Sequence, residues 1–411
     1  MRFKATLKYC ILQGAFWSTF SCIFAYASMY LLDKGLSNSE IGYILALGSV
    51  LSAIAQPVVG GIADRSKRLI LHKLLLVFSG IIIILSGILL SFNKVFLMVF
   101  LLYTLIIAFS QIMTPLTYSL AMFFVSKGVP IDFGIARGIG SLAYAICSAI
   151  LGIVIEKQGV DAIVYAIILV YIFLIVSVIT FHFKGIDENV KNADPGKDNK
   201  NSGNLSLIEF ILRYKRFFVL IIGNILVFVS HNIISNYMFQ IYDNIGLTTT
   251  EMGYGIFIAA ASELPALFLL STVNKKVPSG ILFKIAVFFI FVRNVVMYLA
   301  KDMAVMYFSM SLSMLGYGIF AGISIIYVEN IIDSDNRVRG QALMTMTTAL
   351  GSFVGSLAGG IIIDRLSVDS MLVISSAMAF VGAIIVIISG EKGNMVTRNV
   401  YNKRPDNTII K

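Results

Sequence analysis

Three ionisable residues stand well inside long apolar runs of this chain: Arg137, Glu263 and Arg293. A charge at the centre of a bilayer costs on the order of 2.5 to 3.5 kcal/mol even on insertion scales, so such groups face a cavity or a partner. A buried carboxyl can load and release a proton, which makes Glu263 a candidate proton site; a static Glu263 to Arg293 ion pair fixing helix register is the competing reading. Tyr144 follows Arg137 by seven residues, two helical turns, so both share one face. A guanidinium fork beside an aromatic platform suits a polyhydroxylated ring. The plainer alternative has Arg137 snorkelling to water and Tyr144 packing.

A second constellation lies in Ser230 to Gln240, where His231, Asn232, Asn236 and Gln240 recur near helical spacing. They form a hydrogen-bonding stripe that either lines the same cavity or joins neighbouring helices. Gln56 before Pro57 and Gln111 before Pro115 are weaker cases of the same kind. Glu329, near the end of its apolar run, is either interfacial or a further proton site. The 3 His lie apart at His72, His182 and His231, and no metal-ligand cluster, nucleophile elbow or phosphate loop is present. No metal, no cofactor and no enzymatic activity is expected.

Membrane-spanning helices must position these residues. A soluble surface needs about a quarter charged residues, whereas this chain has 13% charged and 58% hydrophobic. Apolar stretches near or above the roughly 20 residues that cross a bilayer recur along the chain. They predict twelve spans at 9–32, 40–63, 70–91, 95–125, 134–155, 161–183, 217–242, 252–273, 279–299, 304–332, 341–363 and 369–389. The expected fold is an all-α membrane protein with twelve transmembrane helices in two six-helix halves.

The net charge of +10 follows loop parity, the mark of membrane topology rather than nucleic-acid binding. With a cytoplasmic N-terminus, the inside segments carry 25 of the 32 Lys and Arg. The outside loops carry only Lys34, Lys94, Lys157, Lys301 and Arg365. Both termini are therefore expected inside. Cys10, Cys22 and Cys147 fall within spans and imply no disulfide framework, and nothing resembles a cleaved signal peptide.

The expected organisation is an N-terminal bundle 1–185, a polar linker 186–216 ending in a short interfacial helix, a C-terminal bundle 217–390 and a tail 391–411. The halves carry a weak repeat offset by about 208 residues: Ser148 to Glu156 resembles Ser356 to Asp364. Repeated halves suit alternating access, and Gly351, Gly355 and Gly359, like Gly134 and Gly138, allow close helix approach.

Between the second and third spans stands Gly60-Gly61-Ile62-Ala63-Asp64-Arg65-Ser66-Lys67-Arg68. Gly60, Asp64, Arg65, Lys67 and Arg68 suit a cytoplasmic gate, in which the carboxylate meets a helix N-terminus and the cations form breakable pairs. Topology-setting charge alone is the alternative. This run resembles the signature loop of the major facilitator superfamily, as does Tyr30 to Gly42, a short outer turn ending in Ile41-Gly42.

The segment Phe133 to Tyr144 resembles the fifth span of the lactose permease-like oligosaccharide:proton symporters, and Glu263 and Arg293 match charged positions of that branch's eighth and ninth spans. The resemblance implies that Arg137 and Tyr144 bind a sugar, that Glu263 recognises substrate and couples the proton, and that Arg293 tunes it. The departures are specific. The branch's acidic partner of the fifth-span arginine falls on Tyr118, and its tenth-span histidine and glutamate fall on Ser313 and Gly316. A proton route would then run through Glu263, alone or with Glu329. The resulting expectation is a monomeric secondary transporter of the bacterial cell membrane, taking up a small polar solute such as a sugar or glycoside with protons. Export of amphipathic compounds is the alternative, given 17 Met and many aromatics.

Overall fold

A computed structural model describes residues 2–64, 68–183 and 207–393. The first span comprises α1 (Arg2–Phe20), a π-helical turn at Ser21–Ala25 and α2 (Ala27–Asp33). α3 (Asn38–Asp64), α4 (Arg68–Ser91), α5 (Phe96–Ser126), α6 (Phe133–Gln158) and α7 (Ala162–Thr180) complete the first half. After the short α8 (Leu207–Arg213), the seventh span runs as α9 (Lys215–Asn236) and α10 (Met238–Asn244). α11 (Thr249–Val273) and α12 (Ser279–Leu299) follow, and the tenth span is α13 (Met303–Ser311), a tight turn at Leu312–Met314 and α14 (Tyr317–Ile331). α15 (Arg337–Arg365) and α16 (Val368–Ser389) close the bundle.

Among the described residues, eleven helices are long and apolar enough to cross a membrane, and the pair Phe3–Ala25 and Ala27–Asp33, bent by 44°, makes twelve. Polar starts mark several of them. Asp132 accepts from Ile135 N at 3.1 Å, Asp302 accepts from Val305 N at 3.0 Å, and Thr248 with Glu251 forms a capping box. The short α8 stands within the segment where an interfacial helix is expected, and the Arg213 guanidinium pairs with Asp333. The linker 184–206 and the tail beyond 393 lie outside the described residues.

The helices before the linker pack on one another, and so do α9 to α16. Two long seams join the sets, α3 against α15 and α6 against α11. Where both seams reach the end of the bundle opposite the start of the chain, here the distal end, they are bonded in matching fashion. Tyr26 Oη donates to Ser148 O at 2.6 Å, and 211 residues on Tyr237 Oη donates to Ser356 O at 2.7 Å. The N-terminus of α3 meets the carboxylate of Asp364, which accepts from Asn38 N at 3.1 Å, Asn38 Nδ2 at 2.9 Å and Ser39 N at 2.7 Å. The N-terminus of α11 meets Glu156, which accepts from Thr250 N at 3.1 Å. The repeat seen at Ser148–Glu156 and Ser356–Asp364 is thus one structural device used twice. Its other half, Leu36 to Tyr43 against Leu247 to Tyr254, shares Leu, Glu, Gly and Tyr at the same offsets.

Glycine makes both seams possible. A Cβ on Gly42 would stand 2.5 Å from Ser356 O, and one on Gly152 would stand 2.5 Å from Thr249 O. No real side chain tolerates such contacts, so these positions let backbone lie on backbone across the halves.

Candidate functional site

Between the two sets of helices lies a cavity of about 450 Å³. Arg137, Tyr144, His231, Asn232, Asn236, Glu263 and Arg293 all line it. Residues predicted from four separate spans are therefore brought to one place.

One wall is aromatic and rises from the first span. Trp17, Phe20 and Phe24 follow helical spacing; Trp17 and Phe20 lie 5.2 Å apart, and Phe20 stacks on Phe24 at 5.0 Å. The π-helical turn at Ser21–Ala25 and the bend at Tyr26 fall beside this ladder, as π-turns often do at functional sites. Trp17 is held by a chain of bonds, its Nε1 donating to Gln13 Oε1 at 3.0 Å and Gln13 Nε2 donating to Tyr9 Oη at 2.7 Å. It lies against Gly140, where a Cβ would come within 2.6 Å of the indole. Over its ring sits the Arg137 guanidinium, 4.0 Å from the centroid, with Nη1 donating to Ser141 Oγ at 2.8 Å. The aromatic partner of Arg137 is thus Trp17, and Tyr144 lines the cavity one step further along the same face of α6.

The facing wall is polar. His231 stacks on Tyr317 with centroids 5.0 Å apart and planes 4° from parallel, and its Nδ1 has no hydrogen-bond partner among the described residues. Asn232 Nδ2 donates to Phe228 O at 2.8 Å and Asn236 Nδ2 to Ser356 Oγ at 2.9 Å. The interruption of the tenth span at Leu312–Gly316 brings Ser313 and Tyr317 onto this wall. Gly316 makes room there, since a Cβ would lie 3.2 Å from Ile290 Cγ1.

Glu263 projects from α11 beside Pro265. It lies within electrostatic reach of both Arg293 and Arg137, yet among the described residues no ion pair within 4 Å joins it to either. Arg293 is buried on α12; its Nη2 reaches the Met310 thioether at 3.6 Å, and its Nε has no partner among the described residues.

Other expected site residues fall elsewhere. The seventh span breaks at Tyr237, so Gln240 leaves the stripe and donates from Nε2 to Asn38 Oδ1 at 2.8 Å in the distal seam. Tyr118 is half-buried on α5 and does not line the cavity. Glu329 is exposed on α14, away from it. Of the gate run, Gly60 lies near the end of α3 with nothing within 4 Å of where a Cβ would stand, Asp64 closes that helix and Arg68 opens α4. Arg65 and Lys67 lie outside the described residues. Gln111 lines the cavity, its Nε2 donating to Ser49 Oγ at 3.2 Å. Trp17, Phe20 and Phe24 escaped the sequence reading because an aromatic stripe at helical spacing looks the same whether it packs or lines a site.

A twelve-span helical bundle with a mixed polar and aromatic cavity between its halves is the architecture of a membrane carrier. The chain belongs to the MFS_1 like family, whose model matches residues 7–373, and it is accordingly an integral membrane transporter of major facilitator type. It is 23% identical over 367 residues to the "Uncharacterized transporter YwbF" of Bacillus subtilis (strain 168), covering 86% of each chain. Among solved structures it resembles the nucleoside transporter NupG, with a TM-score of 0.75 at 12% identity over 94% of this chain and 98% of that one. It also resembles a bacterial homologue of the iron transporter ferroportin in an inward-facing state, with a TM-score of 0.66 at 13% identity over 95% and 99% of the two chains. At these identities the likeness is one of fold.

Proposed function

We propose that this transporter is a proton-coupled symporter that takes up a small polar solute, a sugar or glycoside, by rocking 1–185 against 217–390 around the central cavity. One observation carries the reading: Glu263 lines a cavity between the halves, within reach of two arginines and paired with neither. A carboxyl so placed can exchange its proton whenever substrate or helix movement changes its distance from a guanidinium. Arg137, Trp17 and Tyr144 supply the fork and faces for a hydroxylated ring, and His231, Asn232 and Asn236 supply opposing donors and acceptors. In this scheme the distal bonds of Asp364 and Glu156 serve as a closed outer gate, with Gly60, Asp64 and Arg68 at the inner one.

The test is uptake of labelled sugars, glycosides and nucleosides into proteoliposomes under an inward proton gradient. Nucleosides belong in the panel because NupG is a nucleoside transporter. Gradient-driven accumulation is expected, with Glu263→Gln abolishing the accumulation but retaining exchange, and Arg137→Ala weakening solute binding by at least about tenfold, or 1.4 kcal/mol. The aromatic ladder with Met238 and Met310 favours a second reading, export of amphipathic compounds. Proton-dependent extrusion of a lipophilic dye, with no polar solute accumulated, would replace the first reading by this one.

A further inference from the structure

The cavity is unbalanced in charge. Two guanidiniums, Arg137 and Arg293, line it with a single carboxylate, Glu263; the other polar side chains on its wall are serine, asparagine, glutamine, tyrosine, tryptophan and histidine. Each guanidinium carries five N–H donors. Arg137 engages Ser141 and the Trp17 face, while Arg293 reaches a thioether and keeps a buried Nε with no partner among the described residues. A cation withdrawn from water without an anionic partner is costly, so the cavity lacks one negative charge. Resting on the symport reading above, we infer that the solute supplies it: the substrate is a monoanion, a carboxylate borne on a small polar ring, such as a uronic acid or its glycoside.

Charge balance over the cycle points the same way. With Glu263 ionised and His231 neutral, the empty cavity carries one net positive charge. A proton on Glu263 together with a bound monoanion restores that same charge, so the empty and fully loaded carriers meet the same electrostatic cost when the halves rock. A proton alone raises it to two unbalanced cations, which disfavours that crossing without the anion. A neutral sugar with a proton would instead leave two unbalanced cations in a low-dielectric site. A phosphate monoester, at about −1.5 to −2 near neutral pH, brings in more charge than the single proton offsets, so loading it would not restore the empty cavity's charge. In this scheme Arg293 is the carboxylate's anchor and Arg137 orients the ring against Trp17. One proton and one monoanion move together, so no net charge crosses the membrane.

Two probes of matched shape decide the matter, phenyl β-D-glucuronide and phenyl β-D-glucoside, in proteoliposomes of the full chain. Each is driven by a pH gradient alone and then by a valinomycin-clamped potassium potential alone. The expected result is accumulation of the glucuronide at least about tenfold above the glucoside, driven by the pH gradient and indifferent to the potential. Arg293→Gln should erase the preference while Arg293→Lys keeps part of it. Glucoside accumulation that responds to the potential, with no advantage for the glucuronide, overturns the anion inference and leaves proton-coupled symport standing. If neither probe moves under either gradient while a nucleoside or another neutral solute accumulates, the anion inference falls in the same way. If nothing in the panel is taken up, both fall. Should Arg293→Gln misfold, the wild-type comparison of the two driving forces still discriminates.

Discussion

At the scale of single residues, the site is a set of close approaches that permit each polar group its place. Gly140 is the clearest, because its missing Cβ is what lets Trp17 lie against α6 beneath Arg137. Gly140→Val should push the indole aside, strip Arg137 of its aromatic face and weaken solute binding by about 0.5 to 2 kcal/mol. Trp17 is the only tryptophan in the chain, so its emission reports the change directly: the variant's spectrum should shift, and its solute-dependent quenching should need correspondingly higher concentrations. An unchanged titration would show that the indole and guanidinium do not act together. The charged residues at these positions could be found from sequence because charge inside an apolar run is costly and therefore informative. The aromatic wall could not, because an apolar side chain costs nothing in either setting.

At the scale of elements, the order of the spans was legible throughout, since hydrophobic length alone dictates it. The breaks were less so. The seventh span reads as one apolar helix from 217 to 242, yet the chain turns at Tyr237, where the phenol bonds both Ser356 O and Asn38 O across the distal seam. Tertiary contact overrides the local period there, which is why Gln240 leaves the stripe. The repeat was visible at Ser148–Glu156 and Ser356–Asp364, but its purpose required the partner helices. Asp364 accepts three N–H bonds at the start of α3, whereas Glu156 accepts one at the start of α11. Carboxylates at helix N-termini contribute about 0.3 to 2 kcal/mol, so the two seams should differ in strength. Asp364→Asn is expected to speed amide exchange in the first turn of α3 well beyond what Glu156→Gln does in the first turn of α11, measured by mass spectrometry in detergent. Equal effects would show that backbone packing around Gly42 and Gly152, rather than the carboxylates, holds these ends shut.

At the scale of the whole molecule, the distal bonds acquire meaning only with an orientation. The basic residues supply one: 25 of the 32 Lys and Arg lie in the segments on the side of the termini, with five in the opposite loops. If that asymmetry sets topology, the end closed by Asp364 and Glu156 faces outward. Lys157, at the C-terminal turn of α6, and Lys276, between α11 and α12, stand at opposite ends of the bundle. In a background with Cys10, Cys22 and Cys147 replaced, Lys157→Cys should react with an impermeant maleimide on right-side-out vesicles, and Lys276→Cys only after permeabilisation. The reverse pattern would place the termini outside and turn the distal latches into an inner gate. Because a symporter's solute moves with its proton whichever way the bundle is inserted, uptake would still be the direction, and the labelling result decides which face of the membrane the distal latches seal.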